Sequence, residues 1–574
     1  LFGASAFGAA AATTTFSISL LKINQRCLDY IAHTLCDHIT NPHACDTNSG
    51  SRDWRYVVRM GLPTSLINLG IFSLLAVWIP PLFSTKVKCP GQTDIPCDCL
   101  LDTKTLISAN WKFVIDCASR NLTYIPDMHI PEGVKVHELL LQNNTIVKLS
   151  HPFLKRKILI EMIDISSNPF DKRELVPGSF ETVGLYVKKL NLRNIGISLS
   201  APILFLYGLG SLEHLDLSGN GNWFLTLPKD FLFDQGLVSL RTLILKSCKI
   251  LKIETGAFNG LRSLEELDLS YNYLTEVPHA LSNIRTLRVL NLQNNDLMSI
   301  HSNAFSSLRC LEELDLSGNL LGQIDSVEKG AFNGLTALRK LSVADCGLTS
   351  LPISEMSGFS NLQHLNISRN PLILNSIAFT GLEGLTHLSI EGVGIDHFNR
   401  LPLLGLKRLY FLDISHNNIT EIKNDSFKGW MARWIILRGN FIRNIHPKAF
   451  AALQLPVKFD FSENMITSPQ FILDVPKCTF YYMNIHNNFI NCDCTVEKLV
   501  HSRLVQRLDA DCKLDNGTLV SVHDLKVMGS LTEECGRTEV TYCDWWLLSK
   551  AERFSSILTL YFVISISFAV LRFI

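Results

Sequence analysis

A short pattern of apolar and polar positions returns along most of the chain. One copy reads LEELDLSYNYL, in which Leu267 and Leu269 alternate with polar residues and Asn272 follows. This alternation has the period of a β-strand, whose successive side chains point to opposite faces. Aligned on its first core leucine, the pattern occurs fifteen times, at intervals of 23 to 28 residues. A repeat of this length predicts a solenoid, in which every copy forms one coil and stacks on its neighbours.

Each copy contains an inward-facing anchor and a polar position five residues later. The anchors are Leu139, Ile163, Leu190, Leu215, Leu243, Leu267, Leu290, Leu314, Leu341, Leu365, Leu388, Leu412, Ile435, Phe459 and Met483. The polar position is Asn in eleven copies, and an Asn side chain can bond turn backbone groups that a short strand leaves unpaired. Cys248 and Cys346 replace this Asn in two copies, whereas Ile195 and Val393 predict looser turns in two others.

A phenylalanine recurs in the second half of many copies and predicts a spine on the outer side of the coils. Its members are Phe153, Phe180, Phe258, Phe305, Phe332, Phe379, Phe427 and Phe450. No single copy can bury its apolar face alone, so the array is expected to form one cooperative domain.

The combined pattern resembles the extracellular leucine-rich repeat family over roughly residues 89–535. The resemblance implies an α/β solenoid, a horseshoe of about fifteen repeats with a concave parallel sheet and disulfide caps. We expect an N-terminal cysteine-rich cap at 85–133, the repeats at 134–488 and a C-terminal cysteine-rich cap at 489–543.

Two clusters of four cysteines flank the repeats. They are Cys89, Cys97, Cys99 and Cys117 before the first copy, and Cys492, Cys494, Cys512 and Cys535 after the last. Spacing alone leaves three connectivities for each cluster. The family resemblance implies the bonds Cys89–Cys99, Cys97–Cys117, Cys492–Cys512 and Cys494–Cys535. Zinc binding is the alternative, and a secretory signal favours disulfides.

The remaining cysteines of this region have no assigned partner. Cys248 and Cys346 are expected to be buried thiols. Cys310, Cys478 and Cys543 are unassigned. A free thiol is the simplest interpretation, and pairing of one of them with another chain is the alternative.

The first methionine, Met60, begins a segment typical of a secretory signal peptide. It contains the apolar run 66–78, and cleavage near Ser84 gives a signal peptide at 60–84. Residues 1–59 are then expected not to belong to the mature protein. An internal membrane anchor is the alternative interpretation of the apolar run.

A second apolar segment covers residues 557–574. Its eighteen residues would extend about 27 Å as a helix, just enough to span a bilayer. We expect a transmembrane helix, with a lipid-anchor signal as the alternative. The sequence is expected to be incomplete at both ends.

Composition agrees with an exported glycoprotein. Six Asn-x-Ser/Thr sequons are present, at Asn121, Asn143, Asn366, Asn418, Asn424 and Asn516. The formal net charge is zero, from 53 basic and 53 acidic residues. Without a basic stripe, nucleic acid is an unlikely partner class.

Outward side chains of the predicted strands suggest two ligand-binding surfaces. An acidic stripe consists of Asp216, Glu266, Asp268, Glu313 and Asp315, although acidic residues also serve simply to keep a strand soluble. An aromatic and apolar patch consists of Phe411, Trp434, Ile436 and Tyr482, and such patches mark interfaces. The alternative is that the C-terminal cap covers part of this patch. Asn366 lies in a predicted strand and faces the concave side, so a glycan there would exclude a large ligand. The alternative is that the sequon stays unused in a rigid strand.

Catalysis receives little support from the sequence. His214 and Ser218 would lie about 13 Å apart along one strand, too far for a nucleophile and its base. His364 and His387 occupy equivalent positions on neighbouring strands and could share a metal, but no third ligand is evident. No enzyme motif, metal site or cofactor site is predicted.

These observations predict a cell-surface glycoprotein that binds a protein or other macromolecule through its curved surface, with a homodimer as a further possibility. One alternative is a truncated signalling receptor that resembles the Toll-like receptors of innate immunity. Another is a secreted or lipid-anchored matrix or adhesion protein.

Overall fold

One long sheet runs through the repeat array and takes a short strand from each coil. The computed structural model describes residues 85–87, 89 and 96–536, with gaps at 103–111, 129, 132, 150–152, 155–156, 172–174, 222–223, 233–235, 323–325, 351–357, 376, 398–402, 404, 452, 454–455, 477 and 503. The nineteen strands of this sheet are β1 (Thr85–Val87), β2 (Asp98–Asp102), β3 (Lys112–Asp116), β4 (Lys135–Leu140), β5 (Leu159–Asp164), β6 (Lys189–Asn191), β7 (His214–Asp216), β9 (Thr242–Ile244), β11 (Glu266–Asp268), β12 (Val289–Asn291), β13 (Glu313–Asp315), β14 (Lys340–Ser342), β15 (His364–Asn366), β16 (His387–Ser389), β17 (Phe411–Asp413), β19 (Trp434–Ile436), β21 (Val457–Asp460), β22 (Phe480–Asn484) and β23 (Arg507–Asp509).

Strand pairing follows chain order throughout this sheet. The pairs β1–β2 and β2–β3 are antiparallel, and every later pair is parallel. Parallel pairing of consecutive coils confirms the predicted leucine-rich repeat solenoid.

The fifteen anchors stack into one buried column. Leu314, for example, lies opposite Leu290 on one side and Leu341 on the other. No anchor is more than 3% exposed. Ile115 on β3 and Leu508 on β23 extend the column at its two ends, although the flanks lack the repeat pattern. Burial of such a side chain contributes about 1.5–3 kcal/mol, so the column is a main source of stability.

A ladder of asparagine side chains bonds each coil to the one before it. Asn319 is typical: its amide nitrogen donates to the carbonyls of Leu292 and Leu316, and its oxygen accepts the backbone N–H of Leu297. Val393 occupies the ladder position of a coil that lacks the Asn, and its backbone N–H donates to the side-chain oxygen of Asn417 in the next coil. The ladder thus satisfies backbone groups that the short strands leave unpaired.

Cysteine replaces asparagine in the ladder through its thiol. Cys248 and Cys346 each donate a hydrogen bond to a carbonyl of the preceding coils, with a sulfur–oxygen distance of 3.2 Å in both. Burial raises the pKa of Cys248 to about 12 and that of Cys346 to about 11. Both are therefore buried neutral thiols, as the sequence predicted.

A left-handed residue precedes the ladder position in all fifteen coils. Gly318 is one of these, with φ 68°, and a Cβ atom there would lie 2.2 Å from the side-chain oxygen of Asn294. Side chains as large as Tyr271 and Arg369 also adopt this conformation, with φ of 56° and 57°. Because the left-handed region has a higher conformational energy for residues other than glycine, the ladder bonds of the following residue must stabilise the turn.

The outer side of the coils consists mainly of turns, so the described part of the chain contains less helix than an α/β solenoid suggests. Its helices are three 3-10 segments (Leu204–Leu206, His279–Asn283 and Pro447–Phe450) and α1 (Gln470–Leu473), α2 (Cys494–Ser502) and α3 (Leu525–Cys535). Three two-stranded sheets complete the fold, namely β8 (Leu225–Leu227) with β10 (Ile250–Ile253), β18 (Glu421–Ile422) with β20 (Asn444–Ile445), and β24 (Asp511–Lys513) with β25 (Leu519–Ser521).

The phenylalanine spine packs beneath these turns. Phe153 contacts Phe180 with ring centroids 5.2 Å apart, and Phe427 contacts Phe450 at 5.4 Å. Phe205 extends the first pair, at 6.4 Å from Phe180, although its position in the coil departs from the repeat pattern.

Disulfide bonds close both ends of the array. The bonds are Cys89–Cys99, Cys97–Cys117, Cys492–Cys512 and Cys494–Cys535. These are the four pairs that the family resemblance implies. Cys478 is also disulfide-bonded, so the free thiol expected there is wrong, whereas Cys310 is an exposed free thiol.

Several predictions concern residues outside the described part of the chain. They are the segment 1–59, the signal peptide at 60–84 and the apolar segment 557–574. Among the described residues, no helix has the length and apolar content needed to cross a membrane. The boundaries of the caps and the repeats remain predictions.

Candidate functional site

Two rows of side chains cover the open face of the parallel sheet. The leading row consists of the residue before each anchor, and the trailing row consists of the residue after it. Because successive side chains of a strand alternate, both rows point away from the anchor column. We call the surface made by the two rows the sheet face.

The trailing row alternates between aspartate and uncharged residues over long stretches. In chain order it reads Leu140, Asp164, Asn191, Asp216, Ile244, Asp268, Asn291, Asp315, Ser342, Asn366, Ser389, Asp413, Ile436, Asp460, Asn484 and Asp509. Like charges directly opposite each other on neighbouring strands are destabilising, and the alternation keeps the carboxylates apart.

The acidic stripe predicted from the sequence has mainly a structural role. Asp268 and Asp315 each accept the backbone N–H of the serine two residues later, at 2.8 and 2.9 Å, and Asp216 does the same with Ser218. These carboxylates therefore close turns at the strand ends.

The two glutamates of the stripe are bonded across strands. Glu313 forms an ion pair with Lys340 at 2.6 Å, and Glu266 accepts a hydrogen bond from the hydroxyl of Thr242 at 3.1 Å. In the described part of the chain, Glu313 is the carboxylate of the stripe that is paired with a cation. The other four bond to uncharged donors within the sheet, so the stripe remains acidic.

Four rings of the leading row contact one another across four strands. The centroids of His364 and His387 are 4.1 Å apart with nearly parallel planes, those of His387 and Phe411 are 5.6 Å apart, and those of Phe411 and Trp434 are 5.3 Å apart with an edge-to-face arrangement. We call these four residues the aromatic row. Tyr410, which is 44% exposed, lies beside it at 6.4 Å from His387.

The surroundings of both histidines of the aromatic row favour the uncharged form of the imidazole. Burial lowers the pKa of His364 below 6.5, and the nearby charges of His387 and Lys340 lower it further. Burial also lowers the pKa of His387, whose Nδ1 lies 2.9 Å from the hydroxyl of Thr386. The row therefore presents a continuous neutral surface rather than a positive one.

The aromatic row ends at a lysine. The ammonium of Lys458 lies 5.3 Å from the centroid of Trp434 and 5.4 Å from that of Tyr481. Lys458 therefore separates Trp434 from Tyr482, which occupies the same row one strand later.

The C-terminal cap contacts Tyr482, which stays half-buried. Its hydroxyl donates to Asp509 of β23 at 3.0 Å, and Arg507 lies over its ring. Burial, followed by the bond to Asp509, raises the pKa of Tyr482 to about 12. Tyr482 thus belongs to the junction with the cap.

The predicted apolar patch is therefore only partly assembled. Phe411 and Trp434 are in contact, and Trp434 is 37% exposed. Ile436 lies in the trailing row between Asp413 and Asp460, away from the rings. His364 and His387 also belong to the row, although they are not part of the patch predicted from the sequence. Each of them directly precedes an anchor, as Phe411 does, and this shared position in the repeat could have predicted their contact.

A shallow depression of about 480 Å³ lies over β12–β17. Its lining includes Glu313, Lys340, His364, Asn366, His387 and Phe411. The two histidine rings stack on each other there, and no group of three His, Cys, Asp or Glu side chains in the described part of the chain could hold a metal ion. Aromatic and polar groups thus line the depression together.

Comparisons with known proteins agree with this architecture. A family model described as leucine rich repeat matches residues 238–297, 278–321 and 336–395, and a second leucine-rich repeat model matches residues 408–430. Podocan of Mus musculus is 27% identical over 409 residues, which are 66% of this chain and 59% of podocan.

An antigen and a receptor match over shorter stretches. CD180 antigen of Homo sapiens is 40% identical over 90 residues, 16% of this chain and 13% of the antigen. Leucine-rich repeat-containing G-protein coupled receptor 5 of Rattus norvegicus is 30% identical over 137 residues, 24% of this chain and 12% of the receptor. The chain thus spans less than two thirds of each of these relatives.

The repeat register, the asparagine ladder and the family-model matches show that the chain contains leucine-rich repeats between disulfide-bonded flanks, and over part of its length it is similar to podocan, CD180 antigen and the G-protein coupled receptor.

Proposed function

We propose that the chain is a recognition protein that binds a protein ligand on its sheet face, centred on Phe411 and Trp434. The observation that carries the proposal is the edge-to-face contact of these two rings, 5.3 Å apart, on a surface where Trp434 stays 37% exposed. Clustered aromatic side chains on an otherwise polar surface supply much of the binding energy of protein interfaces.

The surroundings of the two rings suit a protein partner. Asp413 and Asp460 flank them in the trailing row, and Lys458 borders Trp434 in the leading row. Aromatic groups inside a polar and charged rim are typical of protein interfaces. Four strands about 4.8 Å apart give the aromatic row a length of about 14 Å, which fits a loop or a strand of a folded partner.

The cellular setting that we propose is extracellular. Four disulfide bonds within the flanks indicate folding in an oxidising compartment. A membrane-held form anchored through residues 557–574 is our first proposal and a secreted form the second. One relative is named as a receptor. Signalling by this chain is a further proposal, which can be tested only after a ligand has been identified.

A binding screen tests the proposal. The full chain, produced through the secretory pathway, is presented to an array of extracellular proteins, and the dissociation constant is measured for each binder. Trp434→Ala should then weaken binding by about 2 kcal/mol or more, which corresponds to roughly thirtyfold.

Tyr207 supplies a matched control. It is 61% exposed and follows the 3-10 segment Leu204–Leu206 on the outer side of the coils. Tyr207→Ala should leave both folding and binding unchanged. Equal affinity of the wild type and a correctly folded Trp434→Ala variant would contradict the proposed surface.

A further inference from the structure

The centre of the sheet face differs from the rest in its trailing row. Between Asp315 on β13 and Asp413 on β17, the row consists of Ser342, Asn366 and Ser389. Four strand spacings of about 4.8 Å make this uncharged interval about 19 Å long. Its two serines are small, and their hydroxyls bond to neighbouring serines at 2.6 and 2.7 Å.

Asn366 stands in the middle of this interval and begins the sequon Asn366-Ile367-Ser368. Its side-chain oxygen accepts the backbone N–H of Ser368 at 3.1 Å. Within the described residues its amide nitrogen has no hydrogen-bond partner. By contrast, Asn191 and Asn484 of the same row donate their amide nitrogens to neighbouring aspartates, at 2.8 and 3.1 Å.

The other sequons lie elsewhere. Asn121, Asn143, Asn418, Asn424 and Asn516 are all exposed, and all fall in turns or outside the two rows of the sheet face. Asn366 is half-buried and lines the depression. A glycan at this position would therefore cover a surface that the other five could not reach directly.

We propose that Asn366 carries an N-linked glycan that occupies the depression over β13–β16 and divides the sheet face. The imidazole rings of His364 and His387 line the depression beside Asn366, and because they stack on each other they present their edges, whose nitrogen atoms can bond the hydroxyls of the first sugar residues. Resting on the proposed function, this leaves Phe411 and Trp434, at the border of the depression, for the protein ligand.

The modification requires a lipid-linked oligosaccharide diphosphate as the glycosyl donor. The amide nitrogen of Asn366 forms a bond to the anomeric carbon of the first sugar, and the bond between that carbon and the diphosphate oxygen breaks. The lipid diphosphate leaves, and one amide proton is released. No electrons are gained or lost by either reactant.

Mass spectrometry of the full chain, produced through the secretory pathway of animal cells, tests the modification. The peptide that contains Asn366 should carry hexose and N-acetylhexosamine residues, and Asn366→Ser should abolish them. Serine matches the neighbouring trailing-row residues, so this variant should fold. An unmodified Asn366 in a chain that is glycosylated at Asn418 would overturn the proposal.

Cysteine labelling tests the position of the glycan. Cys310→Ser removes the exposed free thiol of the described residues, and Ser389→Cys then introduces a new one on the strand next to Asn366, whose labelling is read on the peptide that contains residue 389. A bulky maleimide should fail to label it in the glycosylated chain and should label it when Asn366→Ser is added. Ile244→Cys on β9, in the same row but about 24 Å away, should react equally in both chains.

Equal labelling of the Ser389→Cys thiol with and without the glycan would refute its placement over the depression. Neither readout involves the protein ligand. Failure here is thus distinguishable from failure of the proposed function, which the Trp434→Ala binding measurement decides.

Discussion

The cost of removing a ladder asparagine depends on whether neighbouring coils bond the groups that it leaves. Asn370 donates to the carbonyls of Val343 and Ile367, at 2.8 and 2.9 Å, and accepts the backbone N–H groups of Cys346 and Leu348, both at 3.0 Å. In the described part of the chain these four buried groups have no second partner. The following coil offers none, because its ladder position is an apolar valine.

Asn319 is the matched comparison, equally buried but differently supported. Each carbonyl that it bonds has a second donor, the amide of Asn295 for one and the thiol of Cys346 for the other. Only the backbone N–H of Leu297 would lose its partner in Asn319→Ala. The two substitutions delete the same atoms, so any difference between them reports the unsatisfied groups.

The expected difference is large. An unsatisfied buried polar group costs about 1–3 kcal/mol, so Asn370→Ala should lose about 4 kcal/mol or more. Asn319→Ala leaves one such group, and its loss should be about 1–3 kcal/mol. Folded domains have free energies of unfolding of only about 5–15 kcal/mol, which brings Asn370→Ala close to the limit of folding.

Urea unfolding followed by tryptophan fluorescence measures both variants, with secretion yield as a second readout. Trp430 lies two coils and Trp434 three coils from Asn370, and both report on this half of the array. Amide hydrogen exchange between residues 341 and 393 locates the opening if the array unfolds in parts. Equal midpoints for Asn370→Ala and Asn319→Ala would refute the reasoning.

Three further predictions follow from the core, the histidines and the C-terminal cap. Leu314→Asp places a charge in the anchor column and should abolish secretion, so normal secretion with a wild-type urea midpoint would contradict the buried register. Folding lowers the pKa values of His364 and His387, so the unfolded chain binds more protons than the folded chain below pH 6.5. The contribution of the two histidines to the free energy of unfolding should therefore be complete above pH 6.5 and be lost as the pH falls through the folded pKa values. Urea titrations between pH 7.5 and 5 should show a smaller loss of stability when both histidines are replaced with Asn. Replacing Cys494 and Cys535 with Ala opens a 41-residue loop and should cost about 4 kcal/mol, measured by thermal unfolding; an unchanged midpoint would show that the cap does not limit stability.

Much of the fold can be predicted from the sequence because each coil repeats the same local pattern of residues. Alternating leucines define a strand with one buried face, and an Asn five residues later supplies the bonds that the short strand cannot. The fifteen anchors and the ladder follow directly from this pattern. The outer strands at Ile115 and Leu508 do not, because the cap sequences pair with the sheet without repeating its motif.

The left-handed turn before each ladder residue also lies beyond the sequence pattern. Glycine occupies it in some coils, but Tyr271 and Arg369 adopt the same conformation. Propensity favours glycine or asparagine at such a position, and the surrounding bonds override that preference.

The candidate site also has features that the sequence predicts and features that it does not. The sequence by itself determined which residues point outward, because strand periodicity assigns each side chain to a face. Only the tertiary structure decided which outward residues meet, since His364, His387 and Phe411 come from coils more than twenty residues apart and touch through strand register and ring orientation. The same register put Lys458 between Trp434 and Tyr482, and the cap contacts Tyr482. Local pattern fixes the face of a residue, whereas its neighbours depend on the packing of separate coils.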